Sequence, residues 1–138
     1  KATRLSLYRV SDKVGEVFYG QHFHLNDDQE WEYADGTRKS YPTLNQRYAG
    51  PGFGVQLERL EGRDDVTRNG HLSVLVGNFE MSTSSYDKNE VYEYGAPLAV
   101  DAGGIIVPFD AGKHEVPFIV GYVTGVPEDD SDELRYQG

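Results

Sequence analysis

The chain has 138 residues and a net charge of −10, from 23 acidic side chains against 13 Lys and Arg. A hydrophobic content of 38% is too high for a disordered chain, and no apolar run approaches the roughly 20 residues that span a bilayer. The lack of cysteine excludes disulfides, thiolate nucleophiles and Cys-rich zinc sites. Lys1 to Val10 alternates without the apolar run of a secretory signal, so none is expected there. Residues 71–138 hold three Lys/Arg against twelve Asp/Glu, and so carry nearly all the excess charge. Such a surface repels phosphate backbones, which argues against direct nucleic-acid binding.

In chain order, Arg4 to Val10 alternates with period two and places Leu5 and Leu7 on one face. Glu16–Tyr19 and His22–Leu25 read as the next strands. The stretch 26–54 is polar, aromatic and rich in turn formers, and reads as one long ordered loop carrying Trp31, Tyr33, Tyr41, Tyr48 and Phe53. Gly54–Leu60 alternates, and Asn69-Gly70 is a turn signal before His71–Val76. Further strands are expected at Asn78–Ser82, Glu90–Tyr94, Pro97–Val100, Ile105–Val107 and Phe118–Val123, with Glu133–Tyr136 at an edge and a helical turn within 84–89. Nine or ten short strands predict an all-β fold, a single β-barrel or jelly-roll-like sandwich. Residues 1–10 would form an extended N-terminal arm and residues 11–138 the β domain.

Several groupings bear on chemistry. His22-x-His24 on a strand projects both imidazoles to one face, where they can reach one metal. Gly15, His22, His24, Glu30 and Gly36 offer the residue types of a cupin motif in order, and Pro108, Gly112 and His114 echo its second half, but the spacings differ. A cupin-type metalloenzyme is therefore one alternative, and two surface or interface histidines the other. The acids at 27–35 and 128–133 lack the ordered spacing of a calcium loop. No Gly-x-Ser-x-Gly and no phosphate-binding loop is present. Trp31, Tyr33 and Tyr41 would suit a carbohydrate-binding module. The overall expectation is a protein that is not an enzyme and needs no cofactor or metal.

Residues 70–138 resemble the β-domains of tailed-bacteriophage capsid decoration, or cement, proteins. Gly95, Pro97, Leu98, Val100, Gly104, Pro108, Gly112, Gly121 and Val123 fill the places of that family's Gly- and Pro-punctuated strands, preceded by Leu72 to Glu80. The resemblance implies a structural protein, assembled in the host cytoplasm, that sits on the virion capsid surface. It would bridge major capsid protein subunits as a homo-oligomer, a trimer or dimer. On this reading the partner-binding candidates are Arg4, Leu5, Leu7, Tyr8 and Arg9 in the arm, and Trp31, Tyr33, Arg38, Tyr41 and Arg47 in the aromatic loop. Arg4 and Arg9 would pair with a neighbour's acids while Leu5, Leu7 and Tyr8 add a strand or fill a pocket. Arg38, Lys39 and Arg47 would pair likewise, with Trp31 and Arg47 as the main anchors.

Overall fold

The computed structural model describes residues 2–5, 7–45, 71–129 and 132–138 in full, and the backbone of 47–49. Within them the chain is all-β, with one 3-10 turn at Val116–Phe118. The strands are β1 (Thr3–Leu5), β2 (Glu16–Phe18), β3 (His22–Leu25), β4 (Trp31–Tyr33), β5 (Tyr41–Pro42), β6 (Arg47–Ala49), β7 (Val74–Val76), β8 (Glu80–Thr83), β9 (Pro97–Asp101), β10 (Ile105–Pro108), β11 (Gly121–Gly125) and β12 (Leu134–Gln137). The expected strand at 54–60, the Asn69-Gly70 turn and Phe53 lie outside the described residues.

The first half builds β1–β7, β2–β6 and β4–β3–β5, all antiparallel. Isolated bridges at Arg9↔His71, Val10↔Trp31 and Thr43↔Val74 carry hydrogen bonding between these small sheets. The second half is one antiparallel sheet in the order β10-β9-β11-β12-β8. These runs of pairing are open sheets.

Local chemistry explains the turns. Between β3 and β4 the Asn26 carboxamide oxygen accepts from the amides of Asp28 and Glu30, both at 2.9 Å, closing the hairpin. The β9–β10 hairpin turns through Gly103 and Gly104, both at positive φ. Gly104 is constrained twice, since a Cβ there would stand 2.2 Å from the His22 carbonyl oxygen.

Two apolar clusters form. The first gathers Val10, Val14, Val17, Phe23, Trp31, Leu72 and Val74; the second gathers Met81, Tyr86, Tyr92, Leu98, Ile106, Val123, Leu134 and Tyr136. Strand alternation lets β7 serve both, with Val74 and Val76 in the first and Leu75 against the second.

Four sequence expectations are corrected. The extended arm is a strand of the body: β1 pairs along β7, and Leu5 and Tyr8 pack on the first cluster. The long aromatic loop contains β4, β5 and β6, because Phe23 stands opposite both Tyr33 and Tyr41 in the β3 sheet. Glu90–Tyr94 alternates but is not a strand; the Tyr92 hydroxyl turns inward to the carbonyls of Asp87 and Ile106, at 2.9 and 3.2 Å. The strand expected at an edge over Glu133–Tyr136 is β12, which lies between β11 and β8 because Leu134 and Tyr136 are core residues.

Trp31 is also inside, 0% exposed, with edge-on contacts to Tyr8 and Tyr41 at 6.1 and 6.2 Å between centroids. It closes its own fold and is not an exposed anchor. Trp31→Ala is expected to cost about 3–5 kcal/mol of stability, read as a lower urea midpoint. An unchanged midpoint would contradict this packing.

Candidate functional site

The two halves meet at β3. The His22 amide donates to Gly104 O (2.9 Å), the Gly104 amide to Ala34 O (2.8 Å), and the Ala34 amide back to His22 O (3.0 Å). Beside this ring the Gln21 carboxamide donates to Gly103 O at 2.8 Å. The hydroxyls of Thr83 and Ser85 both donate to Tyr19 O, at 2.9 and 3.0 Å. The junction is thus polar but paired, as buried backbone requires.

The His22 side chain sits at its centre, 1% exposed. Nε2 lies 2.8 Å from the Tyr136 hydroxyl and Nδ1 3.0 Å from Ser40 Oγ. Burial pushes the imidazole down to about 3, so it is neutral near pH 7, and burial also raises the Tyr136 phenol. The other acceptor near the Tyr136 hydroxyl is Met81 sulfur at 3.8 Å, a weak one. Where Tyr136 donates to Nε2, the proton stands on Nδ1 and is donated to Ser40; where it donates to the sulfur, the roles at both nitrogens reverse.

Above this pair a cleft of about 300 Å³ opens between the Ser40–Pro42 segment, Phe79 and the 117–120 segment, with Lys39 and Asn78 contributing to its lining. A second hollow of about 200 Å³ lies in the acidic half, lined by Val91, Ala96, Pro97, Pro108 and Phe109. Val91 there is 80% exposed and the neighbouring Tyr94 74%.

His22 and His24, which could have reached one metal or stood at the surface, are both buried and have separate environments. Both His22 nitrogens are engaged; His24 Nδ1 lies 3.7 Å from Asp35 without a hydrogen bond. Burial raises the Asp35 carboxyl, but hydrogen bonds from Thr37 and the nearby His24 outweigh it and leave the group below its usual value. His114 accepts the Asp110 amide at Nδ1 and meets Asp101 at Nε2, both within 2.9 Å. Among the described residues no three His, Asp or Glu side chains stand together as a metal site.

The candidate binding residues are dispersed. Arg4 donates to Ser73 Oγ at 3.0 Å, and Arg38 donates to Leu25 O and Asp27, both at 2.8 Å, so both are engaged within the chain. The Tyr33 hydroxyl donates to Glu16 O and accepts from the Gly15 amide, so Tyr33 belongs to the fold. Leu7, at 65% exposure, and Arg9 face outward. Arg47 is in β6 opposite Phe18, and its side chain lies outside the described residues. Tyr41 does line the cleft. Ser40, Phe79, Phe118 and Tyr136 were not singled out from sequence; Tyr136 is 114 residues from His22, and no local signal links them.

Comparison with protein-family models, curated proteins and solved structures finds no match for this chain.

The buried imidazole has a stated pH consequence. Its unfolded value is 6.5 and its folded value about 3. Below pH 6.5 the unfolded chain binds a proton that the native state refuses. The contribution is complete above pH 6.5 and is lost as pH falls toward 3, at up to about 1.4 kcal/mol per pH unit. His22→Gln is expected to be less stable at pH 7 but to show a shallower acid slope between pH 6 and 4. Parallel stability–pH curves for the two proteins would contradict a buried neutral His22.

Proposed function

We propose that the chain is a structural protein that attaches to other protein subunits, in the manner of a capsid cement protein on the outer face of a viral shell. The observation that carries this reading is the exposed apolar group Val91 and Tyr94 beside the hollow, in the half that holds the negative excess. Large side chains clustered at the surface mark sites of association, and a Tyr beside a hollow is a common anchor. Glu90 and Glu93 flank them, so the matching surface on a major capsid subunit would offer an apolar side chain beside Lys or Arg. Tyr122, 51% exposed on β11 and opposite Pro97, extends the same region.

Bridging several subunits makes modest contacts add through effective concentration, which suits a homo-oligomer, dimer or trimer. The surplus of acids would keep decorated shells apart in solution. The finer fold reading belongs to this proposal as well. The bridges Val10↔Trp31 and Thr43↔Val74, which tie the small sheets of the first half together beside the five-stranded sheet of the second, are what supports a barrel or jelly-roll-like reading. The cupin alternative has nothing in its favour in the engaged nitrogens of His22 and His114, and of the proposed sugar-stacking aromatics Trp31 is buried, Tyr33 is bonded within the fold and Tyr41 lines the cleft.

Gold-labelled antibody and electron microscopy of the source material should place the protein on the outside of shells. In co-sedimentation with those shells, Val91→Asp/Tyr94→Asp should weaken attachment at least ten-fold, about 1.4 kcal/mol, with an unchanged melting temperature. Labelling away from any shell, or full attachment by the double variant, would sink the reading.

A further inference from the structure

We infer that the outer edge of β8 is a self-association surface, on which a second copy of this chain pairs its own β8 antiparallel across a twofold axis. The inference deepens the homo-oligomer of the proposed function, and it stands or fails on the free protein, without a shell.

The backbone carries the argument. The Gly138 amide donates to Phe79 O at 2.8 Å, so these residues form a hydrogen-bonded pair of the β8–β12 ladder. In the same register Met81↔Tyr136 and Thr83↔Leu134 are hydrogen-bonded pairs too, and Glu80↔Gln137 and Ser82↔Arg135 are not. The amides and carbonyls of Glu80 and Ser82 therefore point away from β12. Among the described residues nothing bonds to them. The space beside this edge is open, a hollow of about 580 Å³ lined by Ser82, Ser84 and Phe18, the last 53% exposed.

The opposite edge of the same sheet is closed. At β10 the Ile106 amide donates to Ser85 O and the Ile106 carbonyl accepts from the Asp87 amide, at 3.1 and 2.9 Å. Pro108, the next outward residue, has no amide hydrogen. β8 lacks these devices, with no Pro, no Lys and no bulge in its pairing with β12. An edge left in that state is a template for another strand.

Register and charge select the second copy as the occupant. A twofold axis through Met81 sets Glu80 of each copy opposite Ser82 of the other, and every outward group of both residues gains a partner. An axis through Glu80 would oppose two glutamates. An axis through Ser82 would enlist Ser84, a bend outside β8 whose carbonyl already accepts from Lys88 Nζ at 2.9 Å. On the outer face Arg135 stands beside Ser82, and both Arg135 and Glu80 are exposed. In the Met81 register Glu80 of one copy therefore faces Arg135 of the other across a single small serine, about 10 Å away at two strand spacings. Neither has an ion pair within the chain among the described residues. Arg135, which lies over Gly125 in one copy, swings across its own Ser82 to make one. The two five-stranded sheets become one continuous sheet.

The test is sedimentation of the whole free protein over a rising concentration series, with amide hydrogen exchange followed by NMR. A monomer–dimer equilibrium is expected, with exchange at Glu80 and Ser82 slowing as the dimer fills. Ser82→Pro removes an outward amide and leaves the β12 ladder intact, and should weaken the dimer at least ten-fold. Glu80→Arg sets two cations together and should weaken it several-fold at an unchanged melting temperature, and adding Arg135→Glu should recover most of that loss. Val91→Asp/Tyr94→Asp, which tests attachment to shells, should dimerise like the parent, so the two readings fail separately. A monomer at every concentration, or a dimer whose Glu80 and Ser82 amides exchange as in the monomer, would overturn the inference. So would an undiminished dimer in both Ser82→Pro and Glu80→Arg. Protection of Glu80 and Ser82 only when shells are added would assign the edge to a shell subunit and overturn it as well.

Discussion

The ring of amide hydrogen bonds among His22, Ala34 and Gly104 is the constraint from which the arrangement of the two halves follows. It joins β3, the residue after β4 and the β9–β10 turn, so each half completes the other's backbone pairing. Without it three buried amides and three carbonyls would lose partners, at about 1–3 kcal/mol for each unsatisfied group. Gly104 is required because the approach that makes the ring leaves no room for a Cβ and needs a positive φ. Gly20 serves a similar close approach, since a Cβ there would meet the Thr83 side chain at 2.2 Å.

The imidazole of His22 extends that constraint into the side chains. It reaches the C-terminal strand through Tyr136 and the surface through Ser40, so one neutral group links the second core to the cleft. Desolvation keeps it uncharged. A charged imidazole there would need a buried counter-ion, and none is among its hydrogen-bond partners.

The two halves spend their exposed chemistry differently. In the first, the aromatics Trp31, Tyr33 and Phe23 are turned into its own cluster, and the guanidinium groups of Arg4 and Arg38 are engaged by the chain. In the second, Tyr86 and Tyr92 pack edge-on inside while Val91 and Tyr94, from the same turn, stand in solvent. The alternation of Glu90–Tyr94 is therefore real, but it separates an inward tyrosine from outward side chains on a turn. This is why the exposed group is in the acidic half and the basic N-terminal segment is structural along β1.

What the sequence determined by itself is the β character and much of the strand placement. Alternation marks Glu16–Phe18 and His22–Leu25, and short apolar runs mark Val74–Val76, Pro97–Asp101 and Ile105–Pro108, because a strand buried on one face alternates and one buried on both is apolar throughout. The tight turn at Gly103-Gly104 is legible for the same local reason. The strands at 31–33, 41–42 and 47–49 are not, since two or three polar and aromatic residues carry no period, and their pairing depends on β3 and β2. The candidate site was legible only at its edges: His22 and Tyr41 stand out in the sequence, while Ser40, Phe79, Phe118 and Tyr136 do not. Spacing sets His22 and His24 on one strand. Whether their nitrogens meet a metal, a carboxylate or a phenol is decided by which distant groups the fold packs against them, and these partners lie up to 114 residues away. Burial and hydrogen-bond partnership are properties of the packed state, so only the tertiary structure decides them.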